Sequence, residues 1–210
     1  MKKKGCSCFV PKERGVLNPI RHVKRWCTNI KNAYQRIRYG YCDRDVWAID
    51  WWFLNVVPNM LEDLKDTAHG YPDSPGDYSQ VLIGTGFPED VDEEGMKKWK
   101  GILSDMIFLL REANEDTCTK TNPYEEEYEK ASKEFTDKYG FFGEGLKTEE
   151  DRAEEKEKGY HRMYMLSDVP EYKNISDLHY EEERKIAEYR DECKDRGMDL
   201  FKTWFWNLWD

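Results

Sequence analysis

Apolar residues recur at steps of three and four from Ile20 onward: Ile20, Val23, Cys27, Ile30, Tyr34 and Ile37. That spacing puts one narrow apolar stripe along a helix. Asn18 suits the cap of this helix, Pro19 its first position, and Gly40 its end. A second helix is predicted from Asp43 to Lys65, with Asp43 as cap and Pro58 kinking or splitting it. A third runs from Asp90 to Asn114 on the face Met96, Trp99, Leu103, Met106, Ile107, Leu110 and Ala113. A fourth follows Pro123, with Tyr124, Tyr128, Ala131, Phe135 and Tyr139 on one side and Gly140 as its stop. The last spans Ser176 to Trp209, with Gly197 a candidate interruption. Its inner face carries Leu178, Ile186, Tyr189, Cys193, Leu200 and Trp204.

Between these elements the pattern fails. "HGYPDSPGDYS" is a turn-rich connector, and "VLIGTGFP" reads as a short strand, an extended loop or part of one short hairpin. The second half of "FFGEGLKTEEDRAEEKEKG" is a solvated helix or a mobile loop, and "YHRMYMLSDVPEY" is extended or irregular. The fold class expected is mainly α: a compact bundle of five or six helices with long irregular connections at 69–89 and 140–174. Residues 1–18 form a basic N-terminal segment and 19–210 a single helical domain. Connections that long are often functional.

Charge divides the chain unevenly. Residues 1–44 carry a net +10 and the remainder −20, which gives the overall −10. The basic part is either a polyanion-binding arm or a surface neutralised by the acidic body or a second subunit; its apolar stripe, which requires a docking surface, favours the latter. With 14% aromatic residues the chain is not of disordered composition. No apolar run of 18 residues exists, so no membrane span is expected. The start lacks a signal-peptide core, and the six cysteines read as intracellular thiols without zinc-site spacing.

The densest stretch is "GYCDRDVWAIDWWFLNVVPNML", residues 40–61. Projected as one unbroken helix, Asp50 falls about 40° from Val46, among Phe53, Val57, Met60 and Leu64. Asp45 falls on a flank, about 100° away. A carboxylate on a core face requires a partner or a ligand. One reading is a structural acid tied to backbone N–H groups. The other is a pocket in which Asp43 and Asp50 sit beside Trp47 and Trp51, with His69, Tyr71, His161 and Arg162 as further ligand-binding candidates. An aspartate can hold ribose hydroxyls, and an aromatic ring can stack on a base. Arg162 also has a plain reading as the ion-pair partner of nearby acids. His179, at a helix start among acids, reads as solvated. A carboxylate metal site from Asp43, Asp50 and Glu182 is weakly encoded, because Asp105 and Glu112 project to the outside of their helix and no Glu-x-x-His occurs. No P-loop, dinucleotide fingerprint, metalloprotease or serine-hydrolase motif is present. No catalytic residue, metal or cofactor is assigned.

Gly40, Tyr41, Asp43, Asp45, Trp47, Asp50, His69, Gly70 and Pro72 form a pattern that resembles a family of uncharacterised proteins of tailed bacteriophages and prophages. "KKWKGILSDMIFLLREANEDTC", "YHRM" and "LFKTWFWNLWD" share the likeness. The resemblance carries no activity. It implies a viral origin, action in the host bacterial cytoplasm or a place in the virion, and the usual phage roles of counter-defence, replication and virion building. The leading expectation is a non-enzymatic counter-defence protein that sequesters a nucleotide-derived ligand, with a homo-oligomer as a candidate assembly. Its alternatives are a basic-helix protein binding nucleic acid or an acidic protein, a metal-dependent nucleotide hydrolase, and a virion structural protein.

Overall fold

The computed structural model describes residues 7–10, 19–72 and 89–209. The arm at 1–18 and the "VLIGTGFP" segment therefore lie largely or wholly outside the described residues. Seven α-helices and no strand occur among those described: α1 Pro19–Tyr39, α2 Asp43–Trp47, α3 Ile49–Thr67, α4 Glu89–Ala113, α5 Glu125–Tyr139, α6 Glu149–Lys158 and α7 Pro170–Trp204. The chain is mainly helical, as its periodicity implies. The count rises to seven because the second predicted helix is two and the charged segment after Thr148 is a helix.

Two compact units form. The first comprises Met1–Cys118 with Arg190–Asp210, the second Thr119–Tyr189. In the first, α3, α4 and the end of α7 enclose Leu61, Trp99, Leu103, Met106, Ile107 and Leu110. Trp99 meets Trp204 at 5.4 Å and Phe53 meets Phe201 edge-on at 5.5 Å. Each such large side chain withdraws apolar area worth about 1.5–3 kcal/mol. In the second, Ala131 and Phe135 of α5 pack on Leu166, Val169, Tyr172 and Ile175.

Three helix expectations change. The break in the second helix falls at Ala48 (φ −144°, ψ 78°), not at Pro58. Pro58 sits buried inside α3, and the Leu54 carbonyl, four residues before it and denied its usual donor, faces Asn114 Nδ2 at 3.5 Å. The last helix starts at Pro170, a residue suited to a first helical turn, and passes Gly197 without interruption. A Cβ on Gly197 would lie 3.2 Å from Leu110 Cδ2 and 3.3 Å from Leu109 Cβ, so this glycine permits close approach to α4. Finally, Glu112 is buried rather than outward. The turn Asn114–Cys118 folds back over its side of α4, with Thr117 Oγ1 donating to Arg111 O and Cys118 Sγ to Glu112 Oε2.

Candidate functional site

The break at Ala48 resets the helical phase, so one projection cannot run through both α2 and α3. Asp50 is exposed, in the first turn of α3, where a carboxylate suits the positive helix start. The buried acid is Asp45, which the unbroken projection placed on a flank. Its Oδ2 accepts the Cys42 N–H at 2.8 Å, and both its oxygens face the Arg36 guanidinium of α1. Burial pushes the Asp45 carboxyl up, but Arg36 and the Cys42 amide outweigh it and leave it below the ordinary carboxylate range. The cap of α2 is Cys42, not Asp43. Asp43 is instead an exposed partner of α1, 2.7 Å from both Lys31 Nζ and Gln35 Nε2. The Lys31 and then the Gln35 hydrogen bond hold its carboxyl low.

The remaining candidate residues fall in both units. In the first, Trp47 is 92% exposed and Trp51 donates its indole N–H to Asp116 at 2.9 Å. His69 is exposed, and Tyr71 is half-buried with its ring against Gly95. In the second, Arg162 pairs with Asp151 at 2.8 Å, its plain reading, while its backbone N–H donates to Glu155. Asp151 is buried at the start of α6, where it also accepts from Thr148 N and from the hydroxyls of Thr148 and Tyr164. The Thr148 amide, followed by Tyr164, pulls its carboxyl down to about 2. His161 is exposed, 3.9 Å from Glu155. These acids anchor the segment around His161 and Arg162 onto α6.

The apolar stripe of α1 lies in solvent. Ile20, Val23, Ile30, Tyr34 and Ile37 are 52–87% exposed, Cys27 is exposed, and Trp26 beside them is 67% exposed. The polar side of α1 faces the protein instead. Asn32 is 3% exposed and donates to Cys8 O at 2.9 Å, Asn29 Oδ1 accepts from Val10 N at 2.7 Å, and Lys31, Gln35 and Arg36 reach α2 as above. A soluble helix ordinarily does the reverse. The stripe was legible in the sequence; its outward direction was not.

His179 is the other correction, since it is buried rather than solvated. It stacks on Tyr128 at 3.9 Å, and its Nε2 lies 2.9 Å from Glu125 Oε2. Asn122 Nδ2 holds both the His179 carbonyl and Glu183 Oε1. Burial, and then the Tyr180 hydroxyl, push the Tyr128 phenol up to about 12. Donor atoms of Glu125, His179 and Glu183 lie within 4.8 Å of one another, a set that could hold a divalent ion. The His179–Glu125 contact and the asparagine already account for this arrangement, and His179 Nδ1, which is buried without a partner, has none of the outer-shell support that metal-binding imidazoles use. The sequence signal was the i, i+4 pair His179 and Glu183, hidden because the helix starts six residues earlier than its periodicity indicates.

Comparison with protein-family models, with curated proteins and with solved structures returns no match.

A cavity of about 580 Å³ lies between α4 and the end of α7, with Phe108, Leu109 and Leu200 as walls and Asp105, Arg196 and Asp199 at its edge. Its volume is that of a ligand site, but none of the candidate residues lines it. The five described cysteines are free thiols. No described helix is long and apolar enough to cross a membrane. The most unusual surface is therefore α1, which can cover apolar area and supply cations at once.

Proposed function

We propose that this protein is a non-enzymatic interaction protein that docks a macromolecular partner along the apolar face of α1. The observation that carries the reading is the inverted placement of this helix: polar side against the protein, apolar side in water. Contiguous exposed apolar surface of this kind marks interaction sites. Residues 19–39 also contain six lysines and arginines and no acid; Lys31 and Arg36 pair with Asp43 and Asp45, while Lys24 and Arg38 flank the apolar face exposed. This reading develops the basic-helix alternative over ligand sequestration, because α1 presents a single continuous surface.

The test is direct binding of labelled amphipathic helical peptides, followed by fluorescence anisotropy, to wild-type protein and to Ile30→Glu/Ile37→Glu. Both substituted residues are exposed, so the fold is retained. Binding by wild type that the double variant loses is the expected result. Protein that remains monomeric and binds no peptide, of any flanking charge, would remove the docking reading.

A further inference from the structure

The α1 stripe also has the register of a coiled-coil seam. The steps from Ile20 to Ile37 are three, four, three, four and three, the alternating seam of a coiled coil over three heptads. With Ile20 at position a, the a positions are Ile20, Cys27 and Tyr34, and the d positions are Val23, Ile30 and Ile37. A helix lying on a bilayer has no need of this register, whereas knobs-into-holes packing depends on it. The flanks then differ. The e positions are Lys24, Lys31 and Arg38, all exposed, and the g positions are Trp26, Ala33 and Gly40. One side of the seam carries the cations Lys24 and Arg38, with Lys31 between them already paired to Asp43, and the other continues the apolar surface.

Resting on the docking reading, we infer that the partner is an amphipathic helix with acidic residues along one flank of its own a/d seam. It would complete a short two-stranded coiled coil with α1. Charge decides between this partner and a second copy of the chain. In antiparallel self-pairing e faces e, which sets Lys24 against Arg38 and Lys31 against its own copy. In parallel self-pairing the cations face Trp26 and Ala33, which offer no opposite charge. An acidic flank satisfies the row in either orientation: at g of a parallel partner, at e of an antiparallel one. Nucleic acid would take the cations but leave Val23, Trp26, Ile30 and Ile37 in water, since phosphate contacts bury little apolar surface.

Three designed 21-residue peptides with the same Ile/Leu seam test this, their flanks carrying glutamate, serine or lysine. Binding to the full chain is read by anisotropy, with its oligomeric state read by light scattering. The glutamate peptide is expected to bind at least about 10-fold more tightly than the serine peptide and the lysine peptide most weakly. Lys24→Glu/Arg38→Glu should reverse that order; Lys31 is left in place because it also holds Asp43. Equal affinity for all three peptides would overturn the acidic-partner inference and leave the docking face standing. A stable dimer or trimer through α1 would overturn it in favour of a second copy. Binding to phosphatidylglycerol vesicles or duplex DNA that exceeds the glutamate peptide, and that Ile30→Glu/Ile37→Glu abolishes for the vesicles, would assign the face to those partners instead. Absence of binding in every arm would remove the docking reading itself.

Discussion

Helices α1 and α4 carry nearly the same hydrophobic code and put it to opposite use. Both repeat apolar residues at steps of three and four: Ile20 to Ile37 in α1, and Trp99, Leu103, Met106, Leu110 and Ala113 in α4. In α4 these residues are 0–6% exposed, while Ile37 of α1 is 87% exposed. The difference lies in the opposite faces. The far side of α4, with Lys97, Gly101, Ser104, Asp105 and Phe108, is exposed, so its polar side takes the water and its stripe takes the core. The far side of α1 offers Asn29, Asn32, Gln35 and Arg36, which find carbonyls, amides and carboxylates in the Cys8–Val10 strip and α2. Periodicity therefore states that a face exists. What covers it depends on what the neighbouring elements can offer.

Substitutions can break this comparison, and the largest effect should come from the core. Leu103→Ala in α4 should lower unfolding free energy by about 2–5 kcal/mol in urea denaturation, because its site is fully enclosed. A loss under 1 kcal/mol would mean that the α3–α4 packing is looser than described. Gly197→Val should cost roughly 1–3 kcal/mol through overpacking against Leu109 and Leu110, read as a lower melting temperature.

On the α1 side the sensitive positions are polar. Arg36→Ala strands the buried Asp45 carboxylate and should cost on the order of 1–3 kcal/mol at pH 7. The sign with pH follows from the folded Asp45 carboxyl lying below its ordinary 3.8. Its contribution is present above that value and is lost as pH falls below it toward the folded value. Urea midpoints of wild type and Arg36→Ala should therefore stay apart at about pH 5 and draw together as pH falls below 3.8; a gap that widens on acidification would contradict the pairing. The smallest effect is expected at the most apolar exposed site. Ile37→Ala should change stability by no more than about 0.5 kcal/mol, although the same position matters for docking. A loss comparable to Leu103→Ala would show that α1 is already covered by its own chain.

Much of the helical layout is legible in the sequence. The bounds of α1 and α5 follow from apolar spacing closed by Gly40 and Gly140, which adopt left-handed φ values of 82° and 88°, and those of α4 from its apolar spacing alone. The stretch 43–64 was not legible, because Ala48 carries no breaker signature and alanine favours helix. A single non-helical residue there re-phased α2 and left Asp45 as the buried acid, while Asp50 keeps the Phe53–Val57 side of α3 but sits in its exposed first turn. His179 was lost for a related reason. The apolar spacing of α7 is diluted by charge between Glu171 and Glu183, so its true first turns read as connection and its buried face as surface. Glu112 was misjudged because a helical wheel knows nothing of a turn that folds back on its own helix. Local periodicity located the apolar faces of α1, α4 and α5, and it failed at the break after Trp47, at the charged start of α7 and at Glu112 under its returning turn.

The anchoring of α1 also has a consequence in time. Ion pairs and amide contacts exchange with water at little net cost, whereas enclosed leucines do not. Among the described residues α1 is fastened almost wholly by groups of the first kind. Its amides should then exchange with deuterium through local opening well before those of α4, which open only with the core. Such a helix is ordered enough to present its face and loose enough to adjust its pitch when another surface closes over it.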